Sequence, residues 1–169
     1  MKKIAITCML FVGFLTLSNA QRSIIKLNVY SFIESGDPDV YYEYVINESN
    51  SVDAALRLGF GSSPFSNAVF VDVNIQAAYR RYLLPQWKPA PIGFFVRPVI
   101  GYENTQGGVG NITYKYSAIQ LGATAGFQYT FKEKFAIDLF AGPAYYFGTN
   151  RETPSSIETL INIGLGYGF

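Results

Sequence analysis

The sequence predicts an all-β chain closed into an eight-stranded antiparallel up-and-down transmembrane β-barrel. Three observations point there. A secretory signal opens the chain, and period-2 alternation fills the rest of it. The alternation also separates a bulky apolar face from a small, polar one.

The signal occupies residues 1–20. Lys2 and Lys3 form its basic end, Ile4 to Leu17 its apolar stretch, and Ser18-Asn19-Ala20 a small-x-small cleavage site. The apolar stretch falls short of the ~20 residues a membrane helix needs. Cleavage before Gln21 is therefore expected, leaving 21–169 as one barrel domain. Cys8 lies inside the signal, so the mature chain has no thiol for a disulfide, a nucleophile or a metal. Loss of Lys2 and Lys3 leaves eleven basic residues against twelve acidic ones, a net charge of −1. That balance argues against a nucleic-acid partner, which calls for a basic excess. Aromatic residues make up 17% of the chain and charged residues only 15%. Yet no apolar run beyond the signal approaches ~20 residues. An exported chain this apolar, without helix-length runs, fits a closed barrel, which satisfies its own backbone groups in lipid.

Eight strands follow in order, each bounded by turn-forming residues. The first is expected over Ile24 to Ile33, the second over Asp39 to Asn47 and the third over Ser51 to Phe60. The fourth covers Ala68 to Tyr82, the fifth Ile92 to Glu103 and the sixth Ile112 to Phe131. The seventh runs from Lys134 to Phe147 and the eighth from Ser156 to Phe169. Gly36-Asp37-Pro38, Asn47 to Asn50, Gly61 to Pro64 and Pro85 to Pro91 separate the earlier strands. Gly107 to Gly110, Lys132-Glu133 and Gly148 to Pro154 separate the later ones. Pro98 and Pro143 fall inside strands, where each removes a ladder donor, so a bulge or bend is expected at both.

Volume decides which face points inward. In the fourth strand Val69, Val71, Val73, Ile75, Ala77 and Tyr79 oppose Phe70, Asp72, Asn74, Gln76, Ala78 and Arg80. In the eighth, Ile157, Ile161, Ile163, Leu165, Tyr167 and Phe169 oppose Glu158, Asn162, Gly164, Gly166 and Gly168. An eight-stranded barrel has room only for side-chain filling. The bulky set would overfill it, whereas the glycine, alanine and amide set fits. The apolar face is therefore expected outside, against lipid, unlike that of a soluble lipid-binding barrel. Tyr102, Tyr129, Phe131, Tyr145, Phe147 and Tyr167 fall near strand ends on this face, where interfacial aromatic girdles belong.

The signal, the alternating strands and the terminal Gly166-Tyr167-Gly168-Phe169 resemble the small outer-membrane barrels typified by the OmpA transmembrane domain and OmpX. Lys26-Leu27-Asn28, Tyr42-Glu43-Tyr44, Tyr79-Arg80-Arg81-Tyr82 and Gly93-Phe94-Phe95-Val96 are similar to a group of such barrels of unknown function. The resemblance covers the whole mature chain and implies the bacterial outer membrane as its location. It also implies that Phe169, with Tyr167, belongs to the signal read by the barrel-assembly machinery. No periplasmic peptidoglycan-binding domain of the OmpA kind is expected after Phe169.

The chain contains no histidine, which removes Ser-His-Asp chemistry and histidine metal sites. The resemblance implies that small-barrel enzymes acting on lipid A or phospholipids depend mostly on histidine and serine. An envelope-lipid enzyme is accordingly the disfavoured alternative, and no catalytic, cofactor or metal residue is assigned. Alternation points Lys26, Glu43, Asp53, Arg57, Asp72, Arg80, Arg97, Asp138 and Glu158 inward. These form either a paired structural network, an acid/base pair such as Asp138 with Glu158, or a narrow ion path. Pairing is favoured because a lone buried charge is costly.

Gly107-Gly108-Val109-Gly110 lacks the Lys-Ser/Thr of a phosphate loop and reads as a hairpin loop. Trp87, the single tryptophan, stands beside Lys88 and reads as an interfacial anchor, with a partner-binding loop as the other reading. An even strand number puts both termini, expected in the periplasm, on one side. The outer loops are then Glu34 to Pro38, Gly61 to Asn67, Asn104 to Asn111 and Gly148 to Ser155. The expected role is non-enzymatic, structural or as a partner subunit in the envelope, with outer-membrane lipid around it. A narrow pore is the alternative.

Overall fold

The computed structural model describes residues 23–62, 69–109, 112–132, 134–149 and 154–169. The signal segment and its cleavage site lie outside the described residues. Strands β1 (Ser23–Asn28), β2 (Asp39–Asn47), β3 (Asn50–Ser62) and β4 (Val69–Tyr82) are followed by β5 (Gly93–Val109), β6 (Ile112–Phe131), β7 (Phe135–Gly148) and β8 (Ser156–Gly168). Each pairs antiparallel with the next, and β8 returns to β1 to close the barrel. Ile24 faces Gly168 and Asn28 faces Gly164 across the closing seam. Closure gives each described strand a neighbour on both sides.

One end of the barrel, here the lower end, carries Ser23 and Phe169, joined by a 2.9 Å hydrogen bond from Phe169 N to Ser23 O. The β2–β3, β4–β5 and β6–β7 turns share that end. A short helix, α1 (Val29–Ser35), sits at the upper end between β1 and β2.

The helix corrects the expectation of a strand running to Ile33. Asn28 ends β1 because its side-chain oxygen accepts from Tyr30 N at 3.1 Å and Ser31 N at 3.3 Å, an N-cap. Gly36, at φ 79°, ends the helix in the left-handed conformation that a C-cap favours. A second correction concerns β5, which continues past Glu103 to Val109. Asn104 to Gly108 pair with Ser117 to Thr113, so Gly107 and Gly108 are strand residues and not a loop. The expected outer loop shrinks to positions 110–111, which lie outside the described residues.

Neither proline makes a bulge. Ala78 pairs with Val99 and Arg81 with Val96, the same register on both sides of Pro98. Gly122 with Ala144 and Ala125 with Ala141 likewise keep one register across Pro143. The ladder is interrupted on one side of each proline, while Pro98 still faces Ala123 and Pro143 faces Thr159 on the other. A missing donor has removed bonds without inserting a residue. The register shift that does occur lies between Val45 and Asn47, at the β2–β3 turn.

The two faces divide by polarity in the sense opposite to a soluble protein. Ile75, Ile100 and Leu165 are each 54% exposed on the outer wall, while Arg80, Arg97, Glu43 and Asp138 are 0% exposed inside. Outward aromatics stack in pairs near the rims, with Tyr145–Phe147 at the upper end. Phe94–Phe127, Tyr129–Phe131 and Phe135–Tyr167 make the lower belt. Among the described residues no helix is long and apolar enough to cross a membrane.

Candidate functional site

The barrel interior holds a charge network at its centre and a cavity above it. Strand alternation aims Lys26, Glu43, Asp53, Arg80, Arg97 and Asp138 at the lumen from six strands. There they balance, three cations against three carboxylates. Lys26 Nζ donates to Glu43 at 2.7 Å, Asp138 at 2.8 Å and the Gln128 amide oxygen at 3.0 Å. The Arg80 guanidinium donates to Asp53 at 2.5 Å, to Gln128 at 2.9 Å and to both Asp138 oxygens at 3.2 and 2.8 Å. Arg97 makes a two-nitrogen contact with Asp53, its shortest bond 2.8 Å. Ser51 and Tyr82 hydroxyls donate to the remaining Glu43 oxygen at 2.5 and 2.8 Å.

Ions taken from water cost several kcal/mol each, so such a group persists only when each charge has partners. Gly166 helps make the space. A Cβ there would collide with Lys26 Cγ, so glycine lets the lysine stem cross the wall of β8.

Aromatic rings shelve the two guanidiniums. Arg80 lies 4.4 Å from the Phe95 ring centre, and Arg97 lies 4.6 Å from that of Phe140. Tyr41, Tyr82, Phe95 and Phe140 form one buried cluster with Ala55, and Ala90 of the β4–β5 turn packs on it. Ala90 N also bonds Glu48 O at 2.8 Å, which ties that turn to the β2–β3 turn at the lower end. These interior rings were not singled out in the sequence. Tyr82 and Phe95 share alternation phase with Arg80 and Arg97, which is the signal that identifies them.

Arg57, Asp72 and Glu158 sit higher. Arg57 is half-buried, 3.3 Å from Asp72 and 3.5 Å from Glu103. Glu103 also accepts from Asn74 Nδ2 at 2.9 Å, and Asp72 accepts from Thr105 at 2.8 Å. Glu158 is exposed and accepts from Ser156 at 3.1 Å, so it does not join the interior network. An Asp138–Glu158 acid/base pair is also ruled out. Asp138 faces Gly164 across the β7–β8 ladder, while Glu158 faces Ala144. Six residues of strand put them about 20 Å apart.

Asp39 and Glu103 carry the inward phase of their strands but were absent from the expected set. Asp39 accepts from Asn28 at 3.1 Å and Tyr41 at 3.2 Å. Together with Arg57 they border a cavity of about 290 Å³ below α1, with Phe140 at its base. Among the described residues no group of three acidic side chains is placed to hold a metal ion.

No family model and no curated protein matches the sequence. Solved structures do. The crystal structure of Ail, the attachment invasion locus protein of Yersinia pestis, superposes with a TM-score of 0.54 at 14% identity, covering 89% of this chain and 99% of that one. The backbone structure of Ail in a phospholipid bilayer nanodisc gives 0.52 at 14% identity, covering 88% and 99%. The chain therefore has the fold of the small eight-stranded outer-membrane barrels.

Proposed function

We propose that this chain spans the bacterial outer membrane as a closed, non-enzymatic barrel with a structural or partner-subunit role in the envelope. The observation that carries the reading is the inversion of polarity around a fully charged-paired centre. An outer wall of Ile75, Ile100 and Leu165 suits acyl chains, and each ion of the central network has an oppositely charged partner inside the barrel. The signal over 1–20 and the terminal Tyr167 and Phe169 support export and handling by the barrel-assembly machinery. Tyr167 packs on Phe135 at the lower belt, on the wall that such machinery would meet. On this reading the lower end faces the periplasm and the upper end faces out.

The pore alternative has less support. Arg80, bonded to β3, β6 and β7 residues at once, stands across the lumen, and the aromatic cluster lies beside it. Enzyme chemistry has no histidine to draw on, and the three carboxylates of the central network, Glu43, Asp53 and Asp138, are each held by cations.

Planar-bilayer recording of the purified protein tests the closed state. No steady conductance is expected from the wild type. Sustained open events would overturn the reading and favour the narrow pore.

A further inference from the structure

The rim of the lower end is basic. Arg81, Lys88, Lys132 and Lys134 are exposed there, with Glu48 as the one exposed acidic side chain among the described residues of that end. Among the described residues no salt bridge reaches any of the four cations. Arg81 is held by a neutral group instead, its Nη1 donating to Asn50 Oδ1 at 3.0 Å. The Tyr79 hydroxyl donates to the same oxygen at 2.6 Å, so the three side chains form one cluster on the outer wall. Lys88 lies over the outward ring of Tyr129 on β6. One strand, β5, separates Arg81 on β4 from Tyr129 on β6. That is about 10 Å, which two long basic side chains can bridge to one phosphate.

A second, independent feature lies above Arg81 on the same outward face. Ala77, Tyr79 and Arg81 follow one another down β4, with Ile100 facing Ala77 from β5 and Val52 facing Tyr79 from β3. Ala77 and Pro98 are small beside Val52, Tyr79 and Ile100, and the five line an apolar notch of about 440 Å³ in the outer wall. The notch sits where Pro98 interrupts the β4–β5 ladder. Arg81 follows Tyr79 by two residues, about 7 Å toward the lower rim.

We propose that Arg81 and Lys88 hold the phosphate of an anionic phospholipid whose acyl chain lies in the notch between Ala77 and Pro98. The two parts of the site match the two parts of such a lipid. An acyl chain fills an apolar notch on a wall that meets hydrocarbon, and a phosphodiester brings the negative charge that the cations of the rim lack. A single bond to a neutral amide leaves most of the Arg81 donors for phosphate oxygens. Trp87, 79% exposed beside Lys88, stands at the same rim with exposed Leu83 and Leu84, where an amphipathic ring settles at headgroup level. An acidic protein segment would meet the cations but not the notch, so a lipid is the occupant that accounts for both. The inference rests on the membrane-spanning reading and deepens it by assigning one class of lipid to one side of the lower rim.

The test uses Trp87, the chain's single tryptophan, as reporter. The full protein is reconstituted in phosphatidylcholine vesicles, and brominated phosphatidylglycerol or brominated phosphatidylcholine is introduced at rising mole fraction. Brominated phosphatidylglycerol is expected to reach half-maximal quenching at about a fivefold lower mole fraction, the gain from attraction to a basic side chain at the surface. Arg81→Gln with Lys88→Gln should abolish the preference, and Ala77→Leu, which fills the notch without touching a charge, should lower it. Lys132→Gln with Lys134→Gln makes the same change of charge on another turn of this rim and should leave the preference in place. Equal quenching by the two lipids, no quenching by either, an unchanged preference in Ala77→Leu, or equal loss in the two charge-matched variants would overturn the proposal. Flotation of the protein with the vesicles reports the membrane-spanning reading separately. A protein that floats without lipid preference loses the site and keeps that reading, whereas one that does not float loses both.

Discussion

Arg80 donates to Asp53, Gln128 and Asp138 without any exposure to solvent, whereas the side-chain hydrogen bonds of Arg97 among the described residues all go to Asp53. Truncating Arg80 to alanine leaves Asp138 with Lys26 as its one cation and Asp53 with Arg97 as its one cation among the described residues. A cost of about 3–5 kcal/mol is expected, because one partner of a buried ion pair is removed. Arg97→Ala should cost less, since Asp53 keeps Arg80. Urea unfolding of both variants in lipid vesicles checks the order, and equal costs would contradict the network as described. Gly166→Ala introduces a methyl into the path of the Lys26 stem, and a loss of about 1–3 kcal/mol is expected from the same measurement. At this scale the alternation in the sequence was enough to aim Lys26, Arg80 and Asp138 inward. Their partnerships were not legible, because Lys26 and Asp138 are 112 positions apart and meet only when the barrel closes. Glu158 shows the limit of alternation. It keeps the inward phase, yet it sits so near the upper rim that it is exposed.

Elements were legible where periodicity runs uninterrupted, as in β2 and β6, whose expected ends coincide with those observed. Reading failed where local chemistry overrides the pattern. Val29 to Ser35 has apolar residues enough for a strand, but the Asn28 cap and Gly36 make a helix of it. Asn28→Ala should cost about 1 kcal/mol in cap energy. Faster amide hydrogen exchange across 29–35, with the strands unchanged, is the expected outcome. The β4–β5 turn allows a cleaner test. Trp87 is the chain's single tryptophan and is 79% exposed, close in sequence to exposed Leu83 and Leu84. Lys88 lies 5.8 Å from the Tyr129 ring on the outer wall. An interfacial anchor predicts blue-shifted Trp87 fluorescence that brominated phospholipids quench. Emission typical of water without quenching would instead leave the turn free for a periplasmic partner.

For the whole molecule, polarity and topology were predictable together. Only small inward residues fit an eight-stranded lumen, so the bulky face had to lie outside. The distribution of charge along the barrel was not predictable in that way. A balanced centre and an acidic upper recess emerge only once Asp39, Glu103 and Arg57 are brought around one space by three different strands. The central claim is that an apolar wall in contact with lipid encloses a charged, closed interior. Nuclear Overhauser spectroscopy of the protein in nanodiscs addresses it directly. Methyl groups of Leu27, Ile75, Ile100 and Leu165 should show cross-peaks to lipid acyl chains, while those of buried Ala118, Ala136 and Ala144 show none. Acyl cross-peaks to the buried alanines with none to the outer methyls would contradict it.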